Sequence, residues 1–164
     1  MRVIAVVLWV AAACVSAVAA ESYDNPFAYC AAVGTIDAPD ARFSGPAIPA
    51  AVMRGLQKAI AAPPDAPPLP GVVWRCMDGK VYACTVGANL PCTAKADLNR
   101  APAEPLRAFC KQQPDADVIP AYVTGRETVY AWRCEHGAPS IERQVADADA
   151  RGFIAAIWYP IPAP

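Results

Sequence analysis

The stretch VVWRCMDGKVYACTVGANLPC, residues 72–92, predicts the central element of the fold. Two apolar segments flank Asp78-Gly79, and a loop that contains a further cysteine follows the second segment. Asp-Gly is a strong signal for a two-residue type I′ turn, because both central residues of that turn need positive φ. We therefore expect an antiparallel β-hairpin with its turn at residues 78–79.

This turn also sets the register of the hairpin, because side chains alternate between the two faces of a strand. A two-residue loop places Val73 opposite Cys84 and Cys76 opposite Val81. One face then carries Val72, Trp74, Cys76, Val81 and Ala83, and the other carries Val73, Arg75, Met77, Tyr82 and Cys84. A disulfide between Cys76 and Cys84 would have to cross the sheet, so we expect each of them to pair elsewhere.

The first 20 residues have the pattern of a secretory signal peptide: one basic residue, an apolar run and small residues at the end. Cleavage after Ala19 or Ala20 would leave a mature chain of residues 21–164. A lipoprotein signal that uses Cys14 is a less favoured alternative. We expect a periplasmic or extracellular protein with no transmembrane segment after cleavage.

The mature chain has an even number of cysteines, which in an exported protein indicates three disulfides. These six residues are Cys30, Cys76, Cys84, Cys92, Cys110 and Cys134. Six cysteines allow 15 pairings, and the sequence does not choose one. The helical pattern of residues 102–112 points Cys110 at the core, where we expect it to reach Cys84 or Cys92.

The remaining elements predict an α+β fold in a single cysteine-rich domain: a small, mostly antiparallel sheet of four to six strands covered by short helices. Residues 62–71 form a proline-rich connection. Helices are expected at 24–33, 49–61 and 102–112, and strands at 127–134, 140–145 and 153–159, the last a covered central strand. Trp132-Arg133-Cys134 repeats Trp74-Arg75-Cys76, so an internal duplication is a further hypothesis.

Charge and motifs favour no catalytic, cofactor or metal site. A formal net charge of −1 gives no reason to expect nucleic acid as a partner. The single histidine, His136, follows Cys134, which we expect in a disulfide and not as a thiolate nucleophile. The sequence has no C-x-x-C pair, and the segment 147–152 lacks two ligands that a calcium loop needs.

One positive hypothesis for function comes from aromatic and arginine residues of the β-rich part. Trp74, Arg75, Tyr82, Trp132 and Arg133 could form a face for a protein, peptide or glycan ligand. Strand alternation favours instead tryptophans that face the core and arginines that face solvent. We expect a small exported binding or structural module that is not an enzyme; the alternative is a small secreted hydrolase of an envelope polymer.

Overall fold

A computed structural model describes residues 21–87 and 90–164. The predicted signal peptide and Cys14 lie outside these residues. The described residues form four helices, α1 (Pro26–Val33), α2 (Ala50–Ala59), α3 (Glu104–Gln112) and α4 (Ala121–Thr124). Their five strands are β1 (Val72–Met77), β2 (Lys80–Thr85), β3 (Tyr130–Glu135), β4 (Ala138–Gln144) and β5 (Tyr159–Ile161).

The α+β fold class is confirmed, with the strands divided between two sheets. One sheet has the order β1-β2-β5 and the other consists of β3 and β4, and every pairing is antiparallel. Helices α1 and α2 pack on the first sheet, whereas α3 packs against β4 and α4. Each sheet therefore has its own hydrophobic core.

The hairpin β1-β2 has the predicted turn and register. Asp78 and Gly79 both have positive φ, 52° and 74°, as a type I′ turn requires. Val73 pairs with Cys84 and Cys76 pairs with Val81. The face that carries Trp74 and Cys76 contributes to the first core.

The six cysteines form three disulfides, Cys30–Cys76, Cys84–Cys92 and Cys110–Cys134. Cys76 and Cys84 do pair elsewhere, as their opposite faces predicted. The expectation that Cys110 reaches Cys84 or Cys92 is wrong. Cys110 lies in the second core beside β3, and the two other cysteines lie in a third, smaller cluster.

Two of these disulfides show that the fold contains the same unit twice. Unit one (residues 26–85) joins Cys30 of α1 to Cys76 of β1, and unit two (residues 104–144) joins Cys110 of α3 to Cys134 of β3. In both, the carbonyl six residues after the helix cysteine accepts a hydrogen bond from the backbone N–H of the strand cysteine, at 3.0 Å and 2.8 Å.

The hairpin turns of the two units match as well. His136 and Gly137 of unit two have φ values of 54° and 81°, like Asp78 and Gly79 of unit one. In each unit the backbone N–H of the first turn residue donates to the side chain five residues after the helix cysteine. These acceptors are Thr35 Oγ1 at 3.0 Å and Asp115 Oδ1 at 3.3 Å.

The second helix of each unit starts from nearly the same sequence, with one difference in five residues. Ile-Pro-Ala-Ala-Val at residues 48–52 begins α2, and Ile-Pro-Ala-Tyr-Val at residues 119–123 begins α4. The valine is buried in its own core in both cases. Helix α4 was not among the predicted helices; Pro120 precedes its first helical residue and so does not interrupt it.

The prediction of one central strand at residues 153–159 is wrong. Ile154 forms only an isolated bridge with Ala148, a turn of 3₁₀ helix follows at Ala155–Ile157, and β5 begins at Tyr159 on the edge of the first sheet. The run is apolar because it passes between two cores: Ile154 packs into the second core, and Phe153 lies in the third cluster.

Candidate functional site

The two tryptophans of the predicted ligand face are interior residues. Trp74 is buried in the first core, where its indole Nε1 donates to the carbonyl of Ala47 at 2.9 Å. Trp132 is buried in the second core, and its Nε1 donates to Thr128 Oγ1 at 3.3 Å. Both indole N–H groups have hydrogen-bond acceptors inside the protein, and neither ring is accessible to a ligand.

Arg75 is buried, and the expectation that it faces solvent is wrong. Its side chain is 1% exposed and forms an ion pair with Asp149. The guanidinium Cζ lies 4.5 Å from the centroid of the Phe153 ring and 4.2 Å from that of Trp158. The segment that carries these rings covers the face of β1 that alternation alone assigned to water.

Asp149 is well suited to balance this buried cation. Burial raises the pKa of its carboxyl, but hydrogen bonds from Arg75 and from the backbone N–H groups of Phe153 and Arg151 outweigh that effect and lower the pKa overall. Asp149 therefore stays ionised beside Arg75. These bonds also occupy the Asp149 carboxylate, which belongs to segment 147–152, the segment compared with a calcium-binding loop in the sequence analysis.

The other two residues of the predicted face lie in different surroundings. Arg133 is half-buried on unit two, with its Nε 2.7 Å from Glu135 Oε1, and this hydrogen bond lowers the pKa of Glu135. Tyr82 is half-buried against the third cluster. Of the five residues, the structure brings together Arg75 and Tyr82, which are partners across β1 and β2 and lie beside the third cluster. Trp74 and Trp132 lie in separate cores, and Arg133 is in a surface ion pair.

A shallow acidic cavity on unit two is the only place where the described residues combine His136 with carboxylates. It has a volume of about 420 Å³ and is lined by Asp115, Asp117, Arg133, Cys134, Glu135 and His136. The His136 side chain is 99% exposed, with Nδ1 3.9 Å from Asp115 Oδ1. Cys134 is in a disulfide, so its sulfur is not available as a nucleophile there.

An apolar groove on unit one has a volume of about 680 Å³. Its lining consists of Phe27, Gly79, Lys80, Val81, Pro160, Ile161, Pro162 and Ala163. Phe27 comes from the first turn of α1, and the hairpin turn and β5 supply the other walls. The Cys30–Cys76 disulfide links the helix to the hairpin and so fixes two of these walls relative to each other.

A second cavity of about 400 Å³ adjoins this groove and is more polar. It shares Phe27, Pro162 and Ala163 with the groove, and α2 adds Ala51, Arg54, Gly55 and Lys58. Gly55 allows the close approach of β5, because a Cβ atom at this position would overlap Ile161. The glycine in the middle of α2 thus brings the cationic side chains of this helix beside the groove.

The groove wall formed by β5 offers no backbone donor. Val81 and Ala83 pair with Ile161 and Tyr159, so the N–H groups of these two β5 residues point toward β2. The alternate positions, which face away from β2, are Pro160 and Pro162, and proline has no N–H. An extended peptide therefore cannot add to this edge as a further strand.

Sequence reasoning missed this groove because its lining is not local. Phe27, Val81 and Ile161 come from three distant parts of the chain, and the hairpin, the first helix and the last strand must be assembled before they meet. One local signal was present: the alternation Tyr-Pro-Ile-Pro at residues 159–162 marks an edge strand whose outer side lacks donors.

Comparisons with known proteins found no match: no family model matches this chain, and neither does a curated protein or a solved structure. Within residues 21–87 and 90–164, no helix combines the length and the apolar character needed to cross a membrane. The same residues contain no group of three or more side chains arranged to hold a metal ion. Any function must therefore be argued from the geometry described above.

Proposed function

We propose that this chain is an exported, disulfide-stabilised binding module that holds an apolar ligand in the groove of unit one. The observation that carries the proposal is the groove itself. Its volume of about 680 Å³ lies within the roughly 300–1,000 Å³ typical of small-molecule sites, and its lining is mainly apolar with one cation, Lys80.

The disulfides support the exported part of the proposal. Disulfides persist in oxidising compartments and are rare in cytosolic proteins. This chain forms three, and its residues 1–20 have the sequence pattern of a secretory signal. Intact mass after alkylation tests this part. We expect an N-terminus at Ala20 or Glu21 and six thiols that react only after reduction; free thiols before reduction would contradict it.

The ligand-binding part is tested with Nile red, a neutral dye whose fluorescence increases in apolar surroundings. Ala163→Phe should fill the groove and reduce dye binding at least several-fold. Ala101→Phe adds the same ring on an exposed loop of another part of the chain and should leave binding unchanged. Dye binding that is equal in the two variants would overturn the assignment of the groove.

A competing apolar surface is controlled separately. Val118 and Tyr122 of unit two are both 82% exposed and could attract the dye. Tyr122→Ser should leave the signal intact if the groove is the site. A signal that is lost in Tyr122→Ser and retained in Ala163→Phe would place the apolar site on unit two and overturn the proposal.

A further inference from the structure

The charge around the groove indicates the chemical class of the ligand, an inference that rests on the proposed function. Three cations lie at its rim: Lys80 in the groove lining, and Arg54 and Lys58 in the adjoining cavity. No acidic side chain is among the described residues that line either cavity. Pro164 also lines the adjoining cavity. An apolar wall beside positive charge that no lining side chain balances is complementary to an apolar molecule that carries a negative group.

These cations are also free to bind. Within the described part of the chain, Arg54, Lys58 and Lys80 have no carboxylate within ion-pair distance, whereas Arg42, Lys95 and Arg151 each pair with an aspartate. Arg54 and Lys58 are four residues apart on α2, so they lie on the same side of the helix. A single anionic group can therefore approach both of them without displacing an internal partner.

A peptide ligand is less compatible with the same site. Peptides that lie along a sheet edge are held mainly by main-chain hydrogen bonds. Pro160 and Pro162 remove the N–H donors from the outer edge of β5, so this source of affinity is missing. The β5 wall can offer apolar contact, and the cations at the rim of the groove can offer charge.

We infer that the groove binds a monomeric long-chain carboxylate. The hydrocarbon chain lies in the groove against Phe27, Pro160 and Pro162, and the carboxylate lies in the adjoining cavity between Arg54 and Lys58. Burial of the chain supplies most of the affinity, at about 0.8 kcal/mol for each methylene removed from water. The cations select the carboxylate over neutral molecules of the same length.

The test compares three ligands with the same saturated chain, a carboxylate, a primary alcohol and a primary amine, each below its aggregation concentration. Titration calorimetry on the full exported chain should give affinities in the order carboxylate, alcohol, amine. The preference for carboxylate over alcohol should shrink between low and high salt, because ions screen exposed charges. Equal affinity for carboxylate and alcohol would overturn the inference and leave the proposed function standing.

A charge variant sharpens the result. Arg54→Gln with Lys58→Gln should weaken carboxylate binding about tenfold, the sum of two exposed ion pairs, and leave alcohol binding unchanged. The control Lys111→Gln with Arg143→Gln removes the same charge from unit two and should leave both affinities unchanged. An equal loss in the two double variants would show a general charge effect and overturn the site.

Two further outcomes separate the hypotheses. If neither the alcohol nor the carboxylate binds, the proposed function itself fails, because the groove then holds no apolar chain. If the protein binds vesicles of anionic phospholipid but no monomeric carboxylate, the rim cations recognise a membrane surface, and the inference of a single-chain ligand is wrong.

Discussion

The two units have the same framework, and they differ in what is packed around it. Both join a helix to a Trp-Arg-Cys strand through a disulfide, and both close the hairpin with a type I′ turn. Arg75 of unit one is buried between two aromatic rings, whereas the equivalent Arg133 of unit two lies at the surface beside Glu135. Local sequence thus sets the framework, and the neighbouring segment decides the environment of the arginine.

The sheet edges differ for a reason that is visible in the sequence. Cys76 and Cys134 direct their backbone groups away from the second strand of their hairpins, toward Ile36 and Ala116. Their partners, Val81 and Pro139, therefore direct theirs to the outer edge. Val81 can donate to a third strand, and β5 pairs there; Pro139 cannot, and β4 remains an edge.

The largest expected effect comes from the two arginines. Arg75→Ala leaves Asp149 as an unpaired charge in a buried position, so the free energy of unfolding should fall by about 3–5 kcal/mol. Arg133→Ala breaks an exposed pair and should leave the free energy of unfolding close to that of the unmodified chain. Urea denaturation measures both, and similar costs would contradict the difference in environment.

Removal of the two equivalent disulfides should give losses of stability that differ by less. Replacing both cysteines of a pair by serine removes a closed loop from the unfolded chain, and the sequence separations are 46 for Cys30–Cys76 and 24 for Cys110–Cys134. Loop entropy predicts losses of about 4.0 and about 3.4 kcal/mol. Thermal unfolding of the two double variants tests this order; a larger loss for the shorter loop would show that packing, and not loop length, dominates.

The smallest effect concerns pH and two equivalent aspartates, Asp37 and Asp117, each seven residues after its helix cysteine. A hydrogen bond from Arg151, together with contacts from Lys95, lowers the pKa of Asp37 to about 2, although burial opposes this shift. Because the folded pKa lies below the unfolded value of 3.8, the stability contributed by Asp37 is present above pH 4 and is lost as the pH falls toward 2.

Asp37→Asn should therefore flatten the decrease in the urea midpoint between pH 5 and pH 2.5. Asp117 is exposed, and Asp117→Asn serves as the matched control that leaves the pH profile close to that of the unmodified chain. Profiles that change equally in the two variants would show that the ion pairs of Asp37 do not cause the pH dependence of stability.

Sequence reasoning predicted the parts of the fold that depend on neighbouring residues. The Asp78-Gly79 turn and the alternation of the strands gave the hairpin register, and the opposite faces of Cys76 and Cys84 excluded a disulfide between them. The first helix was also predicted, because its start and end signals are local. In the structure, Asn25 Oδ1 accepts hydrogen bonds from the first N–H groups of the helix, and Gly34 ends it.

The features that were missed depend on contacts between distant segments. Alternation predicts which residues share a face of β1, but it does not show that Phe153 and Trp158 cover the face that carries Arg75. The partner of Cys110 depended on the placement of α3 beside β3. The groove needs three separated segments to meet, so no motif could have indicated it.

The position of β5 has a consequence for the order of folding. Synthesis runs from the N-terminus, so unit one emerges first, yet the strand that covers the outer edge of its sheet is made only after the whole of unit two. Until then β2 presents unpaired backbone groups, an edge on which other chains can pair. Removing β5, or replacing Tyr159 and Ile161 so that it no longer pairs, should therefore increase aggregation, because the edge of β2 then stays open.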